Sequence, residues 1–269
     1  MNLYATLGEL KRALSVTSSA RDALYLEHLE AASRRIEVFC GREFFLTDAV
    51  RYFDSRCNYL VYVDDYVAIS ALAMDSEADG TYDGETWVQD TDWFAMPYNT
   101  WPKFGIELHP NGNFSFGSGR RYIKATGVWG YGDGLSGSPW DVTAITATVA
   151  DDSGTTLTLS ADGVVSPGHT LLVESEQVYV SAVGTLTATV VRGVNGTTAA
   201  AHTDAAVGLA RYPKQVMRAC ITLAVAGLKR EKNAGFKSER IGDYQYTLAD
   251  EADEVKFLDR ALVGLVKPI

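Results

Sequence analysis

The sequence is poor in the features that would name a chemistry outright. Its apolar stretches are far too short to span a bilayer, so no membrane segment is expected. The opening residues, MNLYATLGELKR, lack a basic stretch followed by an apolar one, and no signal peptide is expected. There are three cysteines, Cys40, Cys57 and Cys220, widely spaced and without a CxxC. That pattern predicts reduced, mostly buried thiols of a protein made in a cytoplasm, not a disulfide framework or a zinc site. Basic surplus is also missing: the net charge is -10, and residues 46–118 hold 12 acidic side chains against 3 basic ones. A footprint that grips nucleic acid is excluded, whereas an acidic wall that lets DNA slide past is not.

What is present is an ordinary globular mix, 46% hydrophobic and 22% charged, over 269 residues. That is enough for one large or two small domains with a core that needs no staples. Residues 1–45 read as a helix hairpin. Thr6 and Glu9 form a capping box, followed by Leu7, Leu10 and Leu14 on one face. Leu26, Leu29, Ile36 and Phe39 recur at helical spacing in a second helix, which Gly41 should end. Residues 46–141 are short, aromatic and β-branched runs between turns, a small β region. Residues 142–210 turn Thr-, Val- and Ala-rich, with turns at Asp152-Ser153-Gly154, Ser166-Pro167-Gly168 and Asn195-Gly196. They predict a compact all-β module. Residues 211–235 return to helix after Pro213, with Val216, Cys220, Leu223 and Leu228 as the apolar positions. Residues 236–269 read as an extended arm and a terminal helix with the stripe Val255, Leu258, Leu262 and Leu265.

The expected fold is therefore α+β. A helical-bundle core, made of the N-terminal hairpin and the C-terminal helices, carries the small β region. On this reading 1–141 and 211–269 form one domain, and 142–210 is an insertion in it.

Candidate chemistry is thin. Asp75, Glu77 and Asp79, with Gly80, match the start of an EF-hand calcium loop, but Thr86 stands where the bidentate Glu belongs. A polar turn explains the run as well. His28, His109, His169 and His202 sit in no hydrolase or metalloprotease motif, and each reads as a surface residue. Phe114 to Arg121 has glycines and arginines but no P-loop lysine or following helix. Asp64-Asp65 and Asp151-Asp152 are sequence neighbours, which point to opposite faces on a strand. The aromatics Tyr82, Trp87, Trp93, Phe94, Tyr98 and Trp101 read as packing for a small sheet rather than a sugar platform. No enzyme and no cofactor site emerges.

Three stretches carry a resemblance: AASRRIEVFCGREFF (31–45), DGTYDGETWVQDTDWFAMPYN with YIKATGVWGYG (79–99 and 122–132), and YPKQVMRACITLAVAGLKREKNAGFKSERIGDYQYTLA (212–249). Together they resemble the head-to-tail adaptor, or connector, proteins of tailed phages. The stretch EQVYVSAVGTLTATVVRGVNGTTAAAHT (176–203) resembles a small module of other phage structural proteins and interrupts the adaptor pattern. The resemblance implies a homo-oligomeric ring, usually a dodecamer, at the capsid vertex. The ring sits between the portal protein and the next tail or head-completion protein. DNA passes through its lumen without sequence-specific binding. Within that frame Ser238, Glu239, Arg240, Ile241, Gly242, Asp243, Tyr244 and Tyr246 are expected to reach a neighbouring subunit or the portal by strand addition. Val255, Leu258, Leu262 and Leu265 are expected to dock in the same way. The rival expectation is that 142–210 binds the capsid or a cell-surface sugar, with the helices as its mount.

Overall fold

A computed structural model describes the chain except residues 1, 57, 83–86, 113, 233–237, 242–243, 248–250 and 268–269, with the backbone alone over the remainder of 232–252. The chain divides into two compact units. One comprises 1–42, 141–194 and 198–269, and the other 43–140 with 195–197. This partition groups the helices with the 142–210 strands and leaves the first β region as a unit of its own.

The helices of the first unit begin with α1, Leu7–Leu14. The capping box is formed: the Thr6 hydroxyl accepts from the Glu9 amide at 3.2 Å, and the Glu9 carboxylate accepts from the Thr6 amide at 2.8 Å. Helix α2, Asp22–Cys40, ends at Gly41, whose φ of 61° a side chain would strain. Its buried stripe is Tyr25, Leu29, Ala32, Ile36 and Cys40, while Leu26 and Phe39 are half-buried. Helix α3, Lys214–Lys232, packs along α2 with Val216, Ala219, Cys220 and Leu223 buried. The short helix α4, Glu251–Ala261, lies against α3.

The second unit is an open antiparallel sheet. Its strands are β1 (Thr47–Arg56), β2 (Leu60–Met74), β3 (Trp93–Met96), β4 (Lys103–Leu108) and β5 (Ser118–Trp129), in the order β1-β5-β2-β4-β3. Its core is large and aromatic: Trp93, Trp129 and Tyr66 are buried with Leu72, Ile106 and Ile123. The polar tips of the buried aromatics Trp129 and Tyr66 are satisfied. The Trp129 indole donates to the Ala49 carbonyl at 2.9 Å, and the Tyr66 hydroxyl donates to the Gly105 carbonyl at 2.8 Å. Trp87 stacks on Phe114 and Phe116 with ring centres 4.6 and 5.5 Å apart. Gly127 permits the β5–β2 pairing, because a Cβ there would lie 2.3 Å from the Ala68 carbonyl oxygen.

The remaining strands belong to the first unit, apart from Trp140 at the start of β6. They are β6 (Trp140–Val149), β7 (Thr156–Leu159), β8 (Thr170–Val173), β9 (Glu176–Gly184), β10 (Thr187–Val191) and β11 (His202–Ala210). They close into a barrel in the order β10-β7-β6-β11-β8-β9. Residues two apart point inward on every strand, as the pleat requires: Leu157 and Leu159, Leu171 and Val173, Val178 and Val180. The N-terminal segment joins barrel to helices. The Leu7 amide donates to the Pro167 carbonyl at 3.0 Å, the Gly8 amide to the Ser166 hydroxyl at 3.2 Å, and Tyr4 packs edge-on to Tyr212.

The helical-bundle core expected from sequence is corrected by this architecture. Strands take 37% of the chain and helices 24%, with four α-helices among the described residues. The physical reason lies in the cores. The barrel interior and the aromatic sheet each bury a cluster of their own. Within the first unit α1 is tied to the barrel's Ser166-Pro167 turn.

Candidate functional site

The residues singled out near the C-terminus fall into two elements. Ser238–Ile241 is strand β12 and Tyr244–Thr247 is strand β13, and the two pair antiparallel as a hairpin with Ser238 opposite Thr247 and Ile241 opposite Tyr244. They form a two-stranded sheet and join neither the barrel nor the aromatic sheet. Gly242 and Asp243 lie outside the described residues, as do Lys237 and Leu248. On α4 and the turn after it, Leu258, Leu262 and Leu265 are buried within the chain, whereas Val255 is 42% exposed. The helix is also fixed by charge: Glu254, buried, pairs with Arg230 of α3 and with Arg35 of α2 at 3.4 Å. The Lys267 amide donates to the Cys40 carbonyl at 2.8 Å.

In the calcium-like turn the carboxylates face backbone amides. Asp75 accepts from the Asp79 and Gly80 amides, both at 3.1 Å. Asp79 accepts from the Thr81 amide and hydroxyl at 2.8 and 2.7 Å, which holds its carboxyl below the usual range. Glu77 is exposed, and Glu85 and Thr86 lie outside the described residues. Among the described residues no group of three or more His, Cys, Asp or Glu is placed to hold a metal. No described helix is long and apolar enough to cross a membrane. Cys40 and Cys220 are free and buried, and burial pushes both thiols up to about 11. Cys57 lies outside the described residues.

The histidines scatter. His28 meets Glu231 at 2.8 Å, and His109 tilts against Phe94 while its Nδ1 accepts from the Asn111 amide at 3.1 Å. His169 is half-buried in the turn before β8, where burial lowers its affinity for a proton. His202 differs from the sequence expectation of a surface loop: it opens β11 and is 2% exposed.

His202 belongs to a buried ionic knot in the barrel. Glu176, fully buried, receives Arg192 Nε and Nη2, each at 2.7 Å, in a bidentate fork. It also receives His202 Nε2 at 2.8 Å and the Gly193 and Ala200 amides at 2.9 and 3.2 Å. Burial alone would raise the Glu176 carboxyl, yet these donors hold it down at about 2. The other imidazole nitrogen meets Glu174 at 2.9 Å. Arg192 further donates to the Gly154 carbonyl at 2.8 Å, so one guanidinium ties the β6–β7 turn to β9. Its buried members bond to one another and to the backbone, so the knot acts as a staple. Its signal in the sequence was the spacing of Glu176, Arg192 and His202, three polar residues in an aliphatic module.

The aromatic sheet holds a cleft of about 540 Å³ lined by Tyr66, Gln89, Asp90, Phe94, Tyr98, Trp101 and Lys103, among others. Lys103, 6% exposed, opens β4. Its ammonium donates to the Pro97 carbonyl and, at 2.8 Å, to the Tyr98 carbonyl, and lies 4.6 Å from the Trp101 ring centre. Burial lowers its affinity for a proton. The Tyr98 hydroxyl donates to Glu107. The cleft goes beyond the sequence expectation of packing for the aromatics of 82–101, because Lys103 joins Phe94, Tyr98 and Trp101 only in the folded sheet. A usable signal was present: Lys103 is one of three basic residues in an otherwise acidic stretch.

No family model, no curated protein and no solved structure matches this chain.

Proposed function

We propose that this chain is a structural virion protein. It forms a ring that joins the portal vertex of a tailed-phage capsid to the tail and extends the DNA channel. The observation that carries the reading is the hairpin β12–β13, in the stretch where the resemblance to connectors is most specific. It pairs with neither larger sheet. A lone two-stranded hairpin is marginal in water, and its outer edges carry backbone groups that a neighbouring chain can complete. A head-to-tail contact of this kind closes into a ring when the rotation per subunit closes. The acidic 46–118 stretch is consistent with a surface that DNA passes without gripping. The buried Leu258 of α4, with Leu262 and Leu265 just after it, gives the arm a fixed root on its own subunit, so the exchanged element in this proposal is the hairpin together with the exposed Val255.

The test is native mass measurement of the full chain beside an Arg240→Pro/Tyr246→Pro double variant, which removes a backbone donor from each hairpin strand. A closed ring of the 29.2 kDa chain, lost in the folded variant, is the expected result. A ring that survives the double substitution contradicts the hairpin's role. A full chain that stays monomeric at every concentration contradicts self-assembly.

A further inference from the structure

The cleft in the aromatic sheet holds a buried cation with no carboxylate within ion-pair distance among the described residues. Of the three hydrogens on the Lys103 ammonium, backbone carbonyls of Pro97 and Tyr98 take two. A buried charge with neutral partners only is costly unless something brings an opposite charge to it. The site's size, about 540 Å³, fits a small organic ligand rather than a lone inorganic ion. Four rings, Tyr66, Phe94, Tyr98 and Trp101, line it with the ammonium. Gln89 and Asp90 line it as well, and both are exposed.

These features select among anions. An ionised Asp90 only accepts hydrogen bonds, so the ligand needs donors on that side. An unsubstituted aromatic carboxylate has none there, while a sugar has several. Aromatic walls suit the C–H face of a pyranose, and the ammonium suits a carboxylate on it. We propose that this cleft binds a hexuronate. Lys103 takes the carboxylate, Trp101 and its neighbouring rings cover the sugar face, and Gln89 and Asp90 hold hydroxyls. The site is independent of the ring-forming hairpin and assigns a ligand to the sheet unit, not to the barrel.

The test is ligand-observed saturation-transfer NMR on the full chain with D-glucuronate, and with D-glucose as the neutral counterpart. Glucuronate is expected to bind about tenfold more tightly than glucose, the margin of one charge-assisted hydrogen bond. Lys103→Met, close in volume and without charge, should abolish that preference. Trp101→Ala, at a half-exposed ring, should weaken both sugars, and keeps the test decisive if Lys103→Met does not fold. Equal binding of the two sugars, no binding of either, or glucuronate binding unchanged in either folded variant would overturn the proposal.

Discussion

The molecule contains two β structures that solve the same problem in opposite ways. The barrel closes on itself, fills its interior with small aliphatic residues two apart, and so has no free edge. Its buried ionic knot, Glu176–Arg192–His202, is turned inward. The aromatic sheet stays open, with β1 and β3 at its edges, and packs tryptophans and tyrosines. Its buried charge, Lys103, lies in a cleft. Closure thus goes with internal satisfaction, and openness with a charge that is left for a ligand. The same pair of polar-in-apolar features reads as a staple in one unit and as a site in the other, and the difference is the cleft.

The comparison breaks first at the staple. Glu176→Ala leaves the buried Arg192 without its bidentate carboxylate, which should cost about 3–5 kcal/mol. Urea unfolding followed by far-UV circular dichroism would register it. In the sheet, Trp93→Ala should cost about 3–5 kcal/mol as a cavity in a packed core. Its loss should appear in the near-UV signal, to which the barrel strands contribute only Trp140 and Tyr179. Equal near-UV losses from both variants would show that the units do not unfold separately.

Acid sharpens the contrast. The Glu176 carboxyl sits at about 2 in the folded barrel against an ordinary value of 4.5. Its folded value is depressed, so its contribution is fully present above about pH 4.5 and is lost as pH falls toward 2. The barrel transition should move to lower urea over that window. Glu176→Gln should flatten this part of the profile. A smaller effect is expected from Gly127→Ala, where the new methyl meets the Ala68 carbonyl: about 1–3 kcal/mol, confined to the sheet.

Much of the local structure was legible in the sequence. The Thr6 capping box, the Gly41 stop and the helix after Pro213 follow from cap chemistry that acts within a few residues. The strands of the barrel follow from alternation and Asn-Gly or Pro-Gly turns. What failed was the weight given to each part. Apolar helix faces such as Leu10 and Leu29 invite a bundle, but periodicity does not say whether the partner is a helix or a barrel turn such as Ser166-Pro167. The two sites failed for the same reason. Glu176, Arg192 and His202 lie up to 26 residues apart, and Lys103 comes to share a cleft with Gln89 and Asp90 only through the pairing of β3 with β4. Long-range register, not residue type, assembles both.

The central claim, a connector at the head–tail junction, is tested most directly by locating the chain in assembled particles. Immunogold electron microscopy of tailed virions that contain it should place label at the single vertex where the tail joins the head. Label spread over the capsid or gathered at the distal tail would contradict the connector account and favour a barrel that binds capsid or cell surface.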